Sequence, residues 1–486
     1  MSDVAAWARK KRAPVDEDGG RPEMGRNRQG GIVMEPTTAG ERQRRVVITG
    51  IGVVTALGDS PDALMAALLE GHGAARPLTS FAVDGVGCDL AAEMPDFEPA
   101  RYLGDRSLHP LDRTSRLAAS AAALALEAAG WGREARAEHE VGLVLGTMFG
   151  SVHTISEFDR KAITSGPAYA KPMSFANSVI NAAAGQTAIW HDLRGINATV
   201  SAGAASGLQA LAAGADAIHS GRADVLLAGG AEELCFESFL GFERAGRLCR
   251  ADNGAAAVPV PLHARRNGFV LGEAAALLVL EERGVAEARG AAVLGEILGY
   301  GSAFDCTRGQ APERAAEAMA DTVRYALDDA GADPGALDCA SLSASGSVVG
   351  DVAEARGVAA VLGARAAELP VTAVKSMLGE TLGAGGALQA IVALEALRNG
   401  VLPGIRGLDE LAEHIPLRRA GPDSVRCDGR LALVTSFGLT GGHASMVLAC
   451  GDTRREDARG DTRRVDVRGD AGGEDERGDG DREDER

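Results

Sequence analysis

Short β-branched runs alternate with Ala-rich helical runs through a body of about 405 residues, 46–450, and this alternation decides the fold class. Val46–Gly50, Val141–Gly146, Asp224–Gly230, Ala275–Leu280, Leu431–Ser436 and Ala444–Leu448 read as strands. Apolar strands separated by helical runs are the mark of an α/β fold whose sheets are covered by helices. Asp112–Ala129 reads as one such helix, with Asp112 as its cap, apolar positions at helical spacing and Gly130 as its stop. Its Ser120 and Glu127 place it against protein rather than lipid. With 64 Gly and only 4% aromatic residues, the core must be built of Ala, Val and Leu at close backbone distances.

A second feature is an internal echo. Ser206-Gly207-Leu208-Gln209-Ala210 opens one long Ala-rich helix, and Gly386-Ala387-Leu388-Gln389-Ala390 opens another in the second half. Two small-residue helices, one per half, suggest a duplicated βα unit whose central helices pack together.

The termini differ from this body. Residues 1–45 carry the basic run Arg9–Arg12, the acidic run Asp16–Asp18 and no apolar periodicity, so a disordered leader is expected, with the native start at Met34. Residues 451–486 repeat a mixed-charge unit, at Asp457–Asp461, Asp466–Asp470 and Asp475–Asp479, and cannot bury apolar surface. The expected division is leader 1–45, two halves at 46–290 and 291–450, and a disordered tail at 451–486.

Charge limits the partners. Lys and Arg total 50 against 68 Asp and Glu, a net −18, which repels nucleic acid and anionic membranes alike. No apolar run approaches the ~18 residues of a membrane span, and the N-terminus has no export pattern, so a cytoplasmic location is expected. The seven cysteines are scattered without a C-x-x-C pair and the nine His form no metal-ligand cluster. Neither a metal nor a disulfide framework is expected, and the thiols read as small core residues.

Several motifs then fall into one order. Val46-Val-Ile-Thr-Gly-Ile-Gly-Val-Val-Thr55, Asp112-Arg113, Asn177 to Gly185, Arg266-Asn267-Gly268-Phe269-Val270-Leu271-Gly272-Glu273, Gly350-Asp351-Val-Ala-Glu354, Lys375-Ser376-Met377 and Ser436-Phe437-Gly438 follow one another across 46–450. Together they resemble the β-ketoacyl synthases of the thiolase superfamily, with Asn267 where the family has Asp. The resemblance implies a duplicated α-β-α-β-α five-layer fold. Two similar halves of mixed five-stranded sheets enclose two buried central helices, and the chain is usually dimeric.

In that family a cysteine thiolate at the start of the first central helix accepts the acyl chain, aided by the helix dipole. Two histidines then stabilise the enolate as CO₂ leaves. The pattern V-S-T-A-C-A-S-G-L corresponds here to Val200-Ser201-Ala202-Gly203-Ala204-Ala205-Ser206-Gly207-Leu208, so Ala204 holds the nucleophile position. Counting eight residues back from Asp351 puts Ser343 at the first histidine position. K-S-x-x-G-H becomes Lys375-Ser376-Met377-Leu378-Gly379-Glu380, so Glu380 holds the second. An Ala methyl forms no thioester, and a carboxylate repels a developing enolate. The supporting Lys375, Glu354 and Glu273 are all present.

Gly438-Leu439-Thr440-Gly441-Gly442-His443 replaces the family's G-F-G-G-x-N loop, with Leu439 at the gating Phe and His443 at the Asn. That is either an acyl-tunnel gate that no longer needs to swing or drift in a loop relieved of catalysis. Ser206 lacks G-x-S-x-G spacing, so its expected role is structural. Ser343, Ser345 and Ser347 near Glu380 lack the His that would activate them.

A ketosynthase fold without its triad resembles the chain-length factors of type II polyketide systems. Those pair as heterodimers with a catalytic ketosynthase and serve an acyl carrier protein; no cofactor is implied. Their nucleophile position commonly holds Gln, and Ala204 instead points toward polyene or fatty-acid-like chains. Two other readings stay open: an active 3-oxoacyl-ACP synthase or acyltransferase rebuilt on Ser343/Glu380 or another thiol, and a homodimeric acyl-binding scaffold.

Overall fold

The structure, a computed structural model, describes residues 44–83, 85–250 and 258–451, together with two dipeptide strands at Gly25–Arg26 and Ile32–Val33. Those two strands pair antiparallel within a unit of their own, Met1–Gln43. The rest of the leader to Gln43 and the repeat tail from 452 lie outside the described residues. Arg44 and Arg45 belong to the body rather than to the expected leader. The Arg44 guanidinium donates to the Ile218 carbonyl (2.8 Å) and pairs with Asp224, while Arg45 donates to Glu296 (2.5 Å).

The body is organised on ten strands. They are β1 (Val46–Thr55), β2 (Gly142–Gly146), β3 (Asn197–Val200), β4 (Val225–Glu232), β5 (Ala274–Glu282), β6 (Gly295–Phe304), β7 (Cys339–Ser341), β8 (Val371–Thr372), β9 (Leu431–Phe437) and β10 (Gly442–Cys450). Their order is β8-β7-β9-β10-β6-β1-β5-β4-β2-β3. Each half repeats one pattern. β1, β5 and β4 are antiparallel neighbours, then β2 and β3 join in parallel; β6, β10 and β9 are antiparallel, then β7 and β8 join in parallel. The duplication hinted at by the helix echo therefore extends to every strand. The division expected at 290/291 falls between β5 and β6. The two five-stranded sheets touch edge to edge, because Val46, Val47 and Ile48 of β1 pair with Ile297, Glu296 and Gly295 of β6.

Seven helices matter to the site: α1 (Arg113–Ala128), α2 (Val152–Ser165), α3 (Ala182–His191), α4 (Ser206–His219), α5 (Pro312–Ala330), α6 (Gly350–Leu362) and α7 (Gly385–Asn399). Asp112 caps α1 as expected, accepting from the Ser115 N–H at 2.9 Å, and Gly130 turns the chain at φ 72°. The first strand runs five residues past the expected Gly50. Gly reads as a strand breaker, but a Cβ at Gly52 would lie 2.0 Å from the Ala121 carbonyl oxygen. The glycine lets α1 lie directly on the sheet rather than ending the strand.

The central helices are α4 and α7. Every residue of α7 from Gly385 to Leu397 is buried, as expected of a helix that is apolar all round. Gly207 of α4 and Gly386 of α7 make the crossing possible. A Cβ on the first would meet the Ala387 N–H at 3.2 Å, and one on the second the Leu208 N–H at 2.7 Å. Among the described residues no helix is long and apolar enough to cross a membrane.

Candidate functional site

The site forms where the turn after β3 enters α4. Gly203 sits at φ 65°, which favours glycine, and brings Ala204 and Ala205 to the helix N-terminus without a side-chain cap. Ser206 holds this turn: its Oγ accepts the Ala202 N–H (2.9 Å) and lies 2.6 Å from the Gly203 carbonyl and 3.1 Å from that of Thr147. With its hydroxyl committed to backbone in a fully buried position, Ser206 is structural. The Ala204 carbonyl accepts from Ser436 Oγ of β9 at 3.1 Å. A helix N-terminus with free N–H groups favours an anion, yet the side chain presented there is a methyl.

Glu380 faces the same space. Its backbone is fastened to the 270–272 segment by two hydrogen bonds, Glu380 N–H to the Val270 carbonyl and Gly272 N–H to the Glu380 carbonyl. Its carboxylate accepts Lys375 Nζ at 2.7 Å and the Leu382 N–H at 3.0 Å. Lys375 also donates to Ser343 Oγ at 3.0 Å, and all three side chains are buried. Burying an ammonium and a carboxylate is tolerable only when they are paired and their remaining bonds are filled, which is the arrangement here. Lys375 Nζ is thus shared between the Glu380 carboxylate and the Ser343 hydroxyl, and no imidazole hydrogen-bonds to Ser343 among the described residues.

Ser343 lies in a loop held from behind. Its N–H donates to Glu354 Oε1 (2.8 Å), which also accepts Thr435 Oγ1 (2.6 Å). Burial pushes the Glu354 carboxyl up to about 7 against the pull of those donors and of Lys375. Asp351 accepts the N–H groups of Leu262, Ser345 and Gly346 at 2.9–3.1 Å, and the Arg266 guanidinium donates to the Ser347 and Val348 carbonyls. Asn267, in place of Asp, accepts from Val258 and donates to the Arg250 carbonyl. The loop keeps its full set of fasteners although no imidazole hangs from it.

Ala204, Glu380 and Leu439 line one apolar pocket with Met148, Phe242 and Phe269. Its volume, about 20 Å³, is room for one water. Thr440 closes one side: a Cβ at Gly203 would lie 2.5 Å from its Oγ1, so the threonine occupies the space that glycine leaves. The two other named residues lie elsewhere. Glu273 sits one residue beyond Gly272, and its carboxylate takes the Arg113 guanidinium in two bonds (2.6 and 2.7 Å) and the Met94 N–H (2.8 Å). His443 belongs to the outer face of β10. It stacks on Phe437 (centroids 4.3 Å apart), neither ring nitrogen has a hydrogen-bond partner among the described residues, and burial lowers its pKa to about 4.

Sequence reasoning passed over Glu232, at the end of β4. Its carboxylate accepts Met148 N–H (2.6 Å), Phe149 N–H (2.9 Å), Gly383 N–H (3.1 Å) and Thr147 Oγ1 (3.2 Å), tying the pocket wall to the start of α7. Burial raises its pKa to about 7 despite these donors. A Glu closing an apolar strand was the available signal.

This geometry has relatives. Residues 43–286 match the N-terminal domain of the β-ketoacyl synthases and residues 294–409 match their C-terminal domain. The chain is 31% identical over 408 residues to 3-oxoacyl-[acyl-carrier-protein] synthase 2 of Coxiella burnetii, an alignment covering 84% of this chain and 99% of that one. It is 33% identical over 424 residues to the protein of that name in Rhizobium meliloti, covering 83% and 98%. The solved structure of the ishigamide ketosynthase/chain length factor superposes with a TM-score of 0.78 at 32% identity, covering 84% and 100%.

Proposed function

Since the chain belongs to the β-ketoacyl synthase family, we propose that it is a non-condensing subunit of the chain-length-factor type. In this reading it pairs with an active β-ketoacyl-ACP synthase and shapes the space for a growing polyketide, polyene or fatty-acid-like chain carried on acyl carrier protein. The observation that carries the reading is the pocket at the start of α4. Its nucleophile position is the Ala204 methyl, and the position of an enolate-stabilising imidazole is a carboxylate neutralised by Lys375 at 2.7 Å. The sites the family uses to attack and to stabilise are filled by groups that do neither.

The outer edge of the sheet supports the partner. β3 ends the sheet with α3 packed beside it, and apolar side chains are exposed on α3 and before it in the chain: Ile189 on α3 is 75% exposed and Ile163 on α2 83%, with Tyr169 and Phe175 between them in sequence. An open strand edge flanked by apolar surface is a face that a second chain covers. The likeness to a ketosynthase/chain length factor structure agrees with a heterodimer. The test is affinity purification of the tagged chain from its native cells. Recovery of a homologue bearing Cys, His and His at the three positions is expected. A partnerless monomer overturns the reading, and a stable homodimer favours the acyl-binding scaffold.

The rebuilt acyltransferase has one contact in its favour, Lys375 to Ser343 at 3.0 Å. The Glu380 carboxylate opposes it by engaging the same Lys375 Nζ at 2.7 Å. Mass spectrometry after incubation with acyl carrier protein separates the two readings: an acyl ester on Ser343 would establish the rebuilt site.

A further inference from the structure

We propose that Cys88 and Cys249 form a peroxide-sensitive dithiol that closes reversibly to a disulfide behind the pocket wall. Their sulfur atoms lie 3.9 Å apart although the residues are 161 positions apart in the chain. The contact is sulfur to sulfur. Cys88 is 3% exposed and Cys249 1%, so both thiols lie inside the same apolar cluster as Phe239 and Phe269. The neighbours of Cys88, Gly87 and Asp89, are exposed, so the buried pair lies next to a surface segment of the chain.

The roles of the two thiols differ. The sulfur–sulfur contact, in which either thiol can donate, lowers the pKa of Cys88 against burial and the nearby Glu243 and Asp89 carboxylates, while the same contact and burial push Cys249 up. A thiolate is the form that attacks peroxide. The Cys88 thiolate takes one oxygen from hydrogen peroxide, the O–O bond breaks, and the other oxygen leaves as water after gaining a proton. Cys249 then attacks the sulfenic sulfur, the S–O bond breaks, and a second water carries off the hydroxyl with the Cys249 proton. Two thiols are oxidised by two electrons in all, and one peroxide is reduced to two waters.

The bond would fasten parts now held only by weaker contacts. Gly87 N–H donates to Glu243 (2.9 Å), and Cys249 N–H donates to the Phe269 carbonyl (2.9 Å), whose ring lines the pocket. Closing the disulfide joins the 85–90 segment to the strip that backs Phe269.

The test uses the full chain, reduced and then titrated with hydrogen peroxide, followed by thiol counting in denaturant and peptide mapping without reductant. The expected result is a fall from seven free thiols to five, one cross-linked peptide carrying both Cys88 and Cys249, and full reversal by dithiothreitol. C249S is expected to trap Cys88 as a sulfenic acid that dimedone labels, and C88S to leave Cys249 unoxidised at the same dose. Oxidation confined to the exposed Cys306, over-oxidation of either thiol without a cross-link, or dimedone labelling of Cys249 in C88S overturns the proposal. Should both serine variants misfold, the peptide map of the parent chain still decides it.

Discussion

In the proposed reading, each residue at the three reacting positions lacks the family's chemistry for its own reason, and each predicts something different. Ala204 removes the attacking atom. Glu380 does more, because it has recruited Lys375 into a buried ion pair. Removing one member alone leaves an uncompensated buried charge, so Glu380→Ala is expected to cost about 3–5 kcal/mol, read as a shift of the urea midpoint at unchanged slope. Lys375→Met/Glu380→Leu together is expected to cost much less than the sum of the single changes. Additive losses would show that the pair is not coupled. Gly203 and Thr440 form a second couple. Gly203→Ala meets both a left-handed backbone and the Thr440 hydroxyl, and ~1–2 kcal/mol is expected from the backbone alone. Adding Thr440→Gly is expected to recover the steric share and leave the backbone share; no recovery at all would mean that Thr440 does not fill that space. Ala204, Ser343 and Glu380 could be located by counting from flanking anchors. The Gly203–Thr440 contact could not, because it joins residues 237 positions apart (440 − 203) through the fold.

At the scale of elements, periodicity explains which expectations found their place. The helix echo was legible because small residues at a helix start have few other uses, and the crossing of α4 and α7 places Gly207 and Gly386 at its closest point. Leu439 lines the pocket at the start of α4, whereas His443 stacks on Phe437. Ala444, Met446 and Leu448 of β10 face the central helices, so the period-two alternation turns His443, Ser445 and Val447 to the other face, where Ser445 meets Thr322 of α5. That signal was present in the strand itself. A neutral His443 makes a pH prediction. Its folded pKa, about 4, lies below the ordinary 6.5, so the unfolded chain binds the extra proton between those values. Stability contributed at neutral pH is thus lost as pH falls from 6.5 to 4, by up to about 3 kcal/mol. Asp305 is the charged neighbour that opposes the shift. His191 slopes the same way, whereas Glu232 and Glu354 slope the other, so the parent curve mixes them. The difference between His443→Asn and the parent isolates the term: the variant is expected to lose less stability between pH 6.5 and 4. Parallel curves would contradict it.

For the whole molecule, a ten-stranded sheet built twice from one pattern explains how the proposed non-condensing chain would keep its fold without the family's reacting residues. Glu354, Asp351, Arg266 and Glu232 each bond to backbone groups of these loops, which holds the loops in place independently of the side chains at the reacting positions. The fold class and the order of motifs were legible because they follow from strand and helix runs. The joining of the halves through β1 and β6 was not, since three backbone pairs leave no side-chain pattern. If α2, α3 and β3 form the face for a partner, Ile163→Asp with Ile189→Asp should abolish co-purification and leave the melting temperature of the isolated chain within a few degrees. Unchanged co-purification would move the partner face elsewhere. The central claim is that this chain makes no carbon–carbon bond by itself. The most direct measurement is to incubate the purified chain with acyl- and malonyl-carrier protein and follow 3-oxoacyl product by mass spectrometry. No product above the protein-free blank is predicted; sustained formation of 3-oxoacyl-carrier protein by the chain alone would contradict the account.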